Sequence, residues 1–246
     1  MSVEFESLKT LEGYEPRDEN RLFAYLALRN LLDTVEDYKF TSRGLDVFDA
    51  GIELHISGQL ATRLSTIRPP ILVPVQSPNA ASPKWRRLEA KYAILEAGGG
   101  FVFGDEPISH RIDIALATDE LGEAGDPIEP VFGIEVKRHL TDIKKDVEKL
   151  RRILLLHREK NWPLRAGAVL SFAEKVGSKR DEIDVLLRRR LVDFSQEHKD
   201  LELQACWIER EDAWILHPEG RWDEQDPTNK SKKTRYASCV FVSLTG

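Results

Sequence analysis

Apolar residues recur at helical spacing through residues 18–37, where Ala24, Leu28, Leu31 and Val35 share one face behind Asp18, a capping residue that follows Pro16. The stretch 40–67 shows no single period, and Gly44, Gly51 and Gly58 are expected to break any long element. Segment 68–78 contains Pro69, Pro70, Pro74 and Pro78, too many for a central strand, and reads as an extended connector. The connector divides an N-terminal helical segment, 1–78, from a core, 79–246. In that core a helix is expected over 82–95, with Trp85, Leu88, Tyr92 and Leu95 as its apolar stripe and Gly98–Gly100 as its stop. Short apolar runs at 101–103, 111–118 and 131–137 read as strands, the last two joined by a polar hairpin loop at 119–130. A helix over 141–158 follows, capped by Thr141, with Ile143, Val147, Leu150 and Leu154 on its buried face. A strand at 166–172, a helix at 179–194 and strands at 201–208, 213–216 and 237–244 complete the order. Such a succession predicts the α/β class: a mixed central β-sheet flanked by helices, with an N-terminal helical extension. If the strands either side of 141–158 run parallel, the right-handed crossover rule lays that helix over one face between them.

Three charges break this pattern. Asp113 interrupts Ile112–Leu116, and Glu135 and Lys137 close the run that begins at Val131. Strand interiors exclude charge unless it is paired or has a chemical task. Glu135 and Lys137 are two apart and share a face, while Val136 points the other way. Were the two strands to pair, Asp113 would meet that face, and two carboxylates and an ammonium would converge.

Composition narrows the functional classes. The chain has 246 residues and a formal charge of −6, with no apolar run near the ~18 residues a membrane span needs. The acidic N-terminus lacks the apolar core of a secretory signal, and two cysteines, Cys206 and Cys239, fit a reducing compartment as buried free thiols. A cytoplasmic protein without membrane association is the expectation. Residues 137–165 carry ten Lys or Arg against four Asp or Glu, a basic face on an acidic protein and compatible with nucleic-acid contact. Lys144, Lys145, Arg151, Arg152 and His139 are the candidates to grip a phosphate backbone, against the simpler reading of a solvated helix face. His110 also borders the site. Trp207, Trp214 and Trp222 are expected to pack in the C-terminal sheet.

A helix, a hairpin supplying Asp113 and then Glu135-x-Lys137, a basic helix and a strand resemble the PD-(D/E)xK nuclease superfamily, the restriction-endonuclease-like fold. The resemblance covers roughly 82–172, with Ile112 where the name-giving proline would stand. It implies a Mg²⁺-dependent deoxyribonuclease, with Mn²⁺ as substitute, more an endonuclease than an exonuclease; a compact chain of 246 residues without helicase or methyltransferase segments tilts the expected role towards defence against foreign DNA. Asp113 and Glu135 would be carboxylate ligands, and the resemblance adds the main-chain carbonyl of Val136. Lys137 would stand near the attacking water. Glu89 on the preceding helix would reach a ligand water or a second ion, with Glu96 as the fallback for that role. Hard oxygen donors suit this ion, which binds water and phosphate together. Two-strand cutters of this fold often act as symmetric pairs, so a homodimer on DNA is a further expectation. The competing reading is a non-catalytic nucleic-acid- or protein-binding member of the same fold. A nucleotide-binding domain is a weaker third, since no phosphate-binding glycine loop opens a helix.

Overall fold

The computed structural model describes residues 4–8, 18–41, 53–65, 71–75, 84–88, 90–97, 111–118, 130–137, 140–176, 181–210 and 233–245. Their order is β1 (Glu4–Leu8), α1 (Glu19–Thr41), α2 (Glu53–Ser65), β2 (Ile71–Val75), β3 (Lys84–Leu88), β4 (Ala90–Ala97), β5 (Ile112–Thr118) and β6 (Pro130–Lys137). A 3₁₀ turn (Leu140–Asp142) then leads into α3 (Ile143–Glu159), β7 (Ala166–Val176), α4 (Asp181–Glu197), β8 (Leu201–Arg210) and β9 (Lys233–Leu244). Seven strands form one sheet in the order β1-β8-β9-β7-β6-β5-β4, and β2 and β3 form a separate antiparallel pair. In the large sheet β6 runs parallel to β7 and β1 to β8, and the remaining neighbours are antiparallel. The molecule is therefore a mixed α/β protein, as the element pattern predicts.

Each face of the sheet is covered by helix. Ile114, Leu116, Phe132, Ile134 and Leu170 bury one face against α1 and α2, with Phe23 and Phe132 in ring contact at 5.6 Å. Ile112, Ala115, Val169, Val240 and Val242 bury the other against α3 and α4. Asp18 caps α1 as expected: its Oδ1 accepts the Arg21 N–H at 2.9 Å. Arg21 then ties α1 to the sheet, donating to Gln204 at 3.0 Å, pairing with Glu202 and lying 4.8 Å over the Phe241 ring. The helices of the N-terminal segment thus share a core with the strands that follow, and β1 adds an edge strand beside β8.

Several expectations change. No helix spans 82–95: β3 and β4 occupy it, and β4 pairs with β5 from Ala90↔Thr118 to Ala97↔Ile112. Ala90–Ala97 is apolar apart from Lys91 and Glu96, and such a run fits both periods, so the open edge of β5 decides. Conversely, 53–65 is helical despite Gly58, because Ile56, Leu60 and Leu64 form a fully buried stripe. The connector contains a strand, β2, in the separate pair and not in the central sheet. On α3 the N-cap is Asp142, without a side-chain capping bond, where Thr141 was expected. The expected strands at 101–103 and 213–216, and Trp214 and Trp222, lie outside the described residues, while Trp207 packs in the core. Cys206 and Cys239 are free thiols facing each other across β8 and β9, Cys239 buried and Cys206 half-buried.

The link β6–α3–β7 positions the site. Its strands are parallel, so the chain crosses the sheet through a helix. Gly133 and Gly167 are register partners beneath α3. A Cβ on Gly167 would stand 2.7 Å from the Gly133 carbonyl oxygen and 3.2 Å from both Leu150 methyls. This glycine pair lets the helix settle close to the sheet. At its far end α3 stops sharply: Asn161 takes φ 56°, Trp162 N–H donates to the His157 carbonyl at 2.8 Å, and Pro163 follows. Gly167→Ala should therefore destabilise the protein by about 1–3 kcal/mol, the usual cost of overpacking, as read by urea unfolding. An unchanged unfolding midpoint would contradict the close approach.

A candidate metal centre at one end of the sheet

Because β5 and β6 are antiparallel, the start of one lies beside the end of the other. Their last paired couple is Ile114↔Ile134, so Asp113 falls opposite Glu135 one step on. Asp113 Oδ2 accepts the Val136 N–H at 2.8 Å, which fixes its carboxylate on β6. On β4, Glu96 sits between Leu95 and Ala97, partners of Ile114 and Ile112, and so takes the register position opposite Asp113. Val136 buries its side chain among the α1 and α2 core residues and offers the site only its main chain.

Glu135 and Lys137 share the face under α3, but they do not pair with each other. Glu135 is fully buried and meets Lys149 of α3, whose Nζ lies 2.7 Å from Oε1 and 2.8 Å from Oε2. Lys137 Nζ lies 3.7 Å from Asp146 Oδ1, one helical turn before Lys149. Both ion pairs run from sheet to helix. Beside Lys137 in register are Ser171 and then Ser238, both buried and hydrogen-bonded to each other, a polar floor at this end of the sheet.

The carboxylates of Asp113, Glu135 and Asp146 thus meet the ammonium groups of Lys137 and Lys149 here. Burial pushes the Glu135 carboxyl from its ordinary 4.5 to about 8; Asp113 adds to the rise, while Lys149 opposes it. The loss of hydration at a fully enclosed carboxylate outweighs one close ammonium.

Asp146 and Lys149 were not singled out from the sequence. The signal was there, because Asp146 occupies the i+3 position of the stripe Ile143, Val147, Leu150, where a charge is costly without a partner. Among the other expected residues, Glu89 and His139 lie outside the described residues, as does His110, and the helix meant to carry Glu89 is replaced by strands. Lys144 is half-buried, and Lys145 is exposed and pairs with Asp142 at 3.0 Å. Arg151 is held by Asp200 at 2.9 Å, and Arg152 by Glu148 at 2.9 Å. Exposed pairs of this kind are weak, so Lys145 and Arg152 stay available to an anion, whereas the part-buried Arg151 Nε–H is shared between both oxygens of Asp200.

Among the described residues no three His, Cys, Asp or Glu side chains are gathered closely enough to form a metal cage. Mg²⁺ does not require one: one or two carboxylates suffice when water and substrate oxygens complete the shell. The donors at this site are hard oxygens, and Glu135 Oε1 is buried without a hydrogen-bond donor, so the residues fit such an ion. Compared with known proteins, the chain matches no family model, no curated protein and no solved structure.

The raised Glu135 value carries a pH signature. Between 4.5 and about 8 the folded protein retains a proton that the unfolded chain has released. This contribution is complete below 4.5 and disappears as pH rises through 8, with a slope of at most about 1.4 kcal/mol per pH unit. In EDTA, stability relative to Glu135→Gln should fall from pH 5 to pH 8.5 in denaturant titrations. A constant difference between the two proteins across that range would exclude a proton on Glu135.

Proposed function

We propose that this chain is a metal-dependent nuclease of the PD-(D/E)xK kind, hydrolysing phosphodiester bonds in DNA and cutting internally. The observation that carries the reading is the meeting of Asp113 with the Glu135–Val136–Lys137 segment at one end of paired antiparallel strands. The element order supports it as well: β4, the β5 and β6 pair, α3 and β7 follow one another, and α2 precedes them with the separate β2 and β3 pair between. In this reading α2 takes the place first expected for a helix at 82–95.

Asp113 and Glu135 would hold the ion, with the main-chain carbonyl of Val136 beside them. When bound, Mg²⁺ supplies Lewis acidity that makes water a better nucleophile and offsets phosphate charge. Lys137 stands two residues from Glu135 on the same face, kept there by Asp146, and its ammonium can orient the attacking water and oppose charge building on phosphorus. A divalent ion would add two positive charges to the site, which suits an anionic diester. Lys144, Lys145 and Arg152 on α3 and its approach are the groups nearest in sequence that would meet the flanking backbone.

A second reading, a non-catalytic binding member of the fold, draws on the Lys149 contact with both Glu135 oxygens. The two are separated by incubating supercoiled plasmid and single-stranded DNA with the protein in Mg²⁺ and in EDTA. Cleavage in Mg²⁺ alone is expected. Asp113→Ala, Glu135→Ala and Lys137→Ala should each lower it by about a hundredfold or more, with the fold retained by circular dichroism. Full activity in any of the three would contradict the assignment.

A further inference from the structure

Lys149 Nζ hydrogen-bonds Glu135 Oε2 at 2.8 Å and lies 2.7 Å from Oε1, which is buried and accepts no hydrogen bond. The partners differ in freedom. Glu135 is fully enclosed on a strand with a neighbour on each side, and its carboxylate has nowhere to go. Lys149 projects from α3 with 22% of its side chain exposed, and its flexible four-carbon stem can carry the ammonium out to water. Lys137, on the same face of β6, has its ammonium 3.7 Å from Asp146 Oδ1.

We propose that Lys149 is a built-in counter-ion that neutralises Glu135 while the divalent ion is absent and is displaced when the ion binds, an inference that rests on the metal-site reading above. Lys149 is in this sense a positioning residue. It holds the buried carboxylate ready on the α3 face and sets a threshold for metal loading, because the ion must outcompete an ammonium already in contact. A purely structural pair would be unaffected by Mg²⁺.

The test uses Mg²⁺ alone, with each protein titrated at several pH values because loss of Lys149 also raises the proton affinity of Glu135. By isothermal titration calorimetry, Lys149→Met should bind Mg²⁺ about tenfold more tightly than wild type, the effect of removing one nearby charge at intermediate dielectric. Lys149→Arg, which keeps the charge, should not bind more tightly than wild type. A second readout uses the wild-type protein. Acetylation of Lys149, followed by mass spectrometry, should be slow in EDTA and several-fold faster with saturating Mg²⁺. Binding by Lys149→Met no tighter than wild type, or Lys149 reactivity unmoved by Mg²⁺, with binding still abolished by Glu135→Gln, would overturn the counter-ion role and leave the metal site standing. Absence of Mg²⁺ binding to wild type and to Lys149→Met alike would overturn both.

Discussion

A carboxylate sealed inside a protein must be neutralised, and much of this architecture follows from how Glu135 meets that requirement. Its position on β6 leaves it fully buried, and α3 brings Lys149 to it and Asp146 to neighbouring Lys137. Breaking one partner of such a pair costs far more than the pair contributes over an apolar equivalent. Retaining it for stability alone would be poor economy.

The fold delivers those groups through backbone proximity as much as through side chains. Antiparallel pairing of β5 and β6 sets Asp113 beside Glu135, and the Val136 amide fixes the Asp113 carboxylate. The parallel crossover to β7 lays α3 over the same end. Gly133 and Gly167 remove the bulk that would hold the helix off, so Leu150 rests on bare backbone. One turn nearer the start of α3, the shorter reach of Asp146 and the longer one of Lys149 meet the sheet at successive same-face positions. Packing and electrostatics are therefore coupled: whatever lifts α3 also separates the charges.

The strands bearing Asp113 and Glu135 were legible because charges interrupt otherwise apolar runs, and the face shared by Glu135 and Lys137 follows from strand periodicity alone. Helix α3 was legible from the spacing of Ile143, Val147, Leu150 and Leu154, all buried. Strand β4 was not, since its apolar run fits a helical stripe as well as a pleat, and only the partner edge of β5 distinguishes them. Helix α2 was obscured by Gly58, whose local penalty is outweighed by three fully buried aliphatic side chains. The roles of Asp146 and Lys149 depend on the rotation of α3 over the sheet. Sequence spacing shows which face of a helix is buried, but not which strand residue each charge will meet.

The most direct measurement is an anomalous-difference map from crystals grown with Mn²⁺. A single strong peak in contact with a carboxylate oxygen of both Asp113 and Glu135, with the Lys149 ammonium drawn away, is the result this account predicts. Lys149 still resting on Glu135, with manganese bound only elsewhere on the protein, would contradict it.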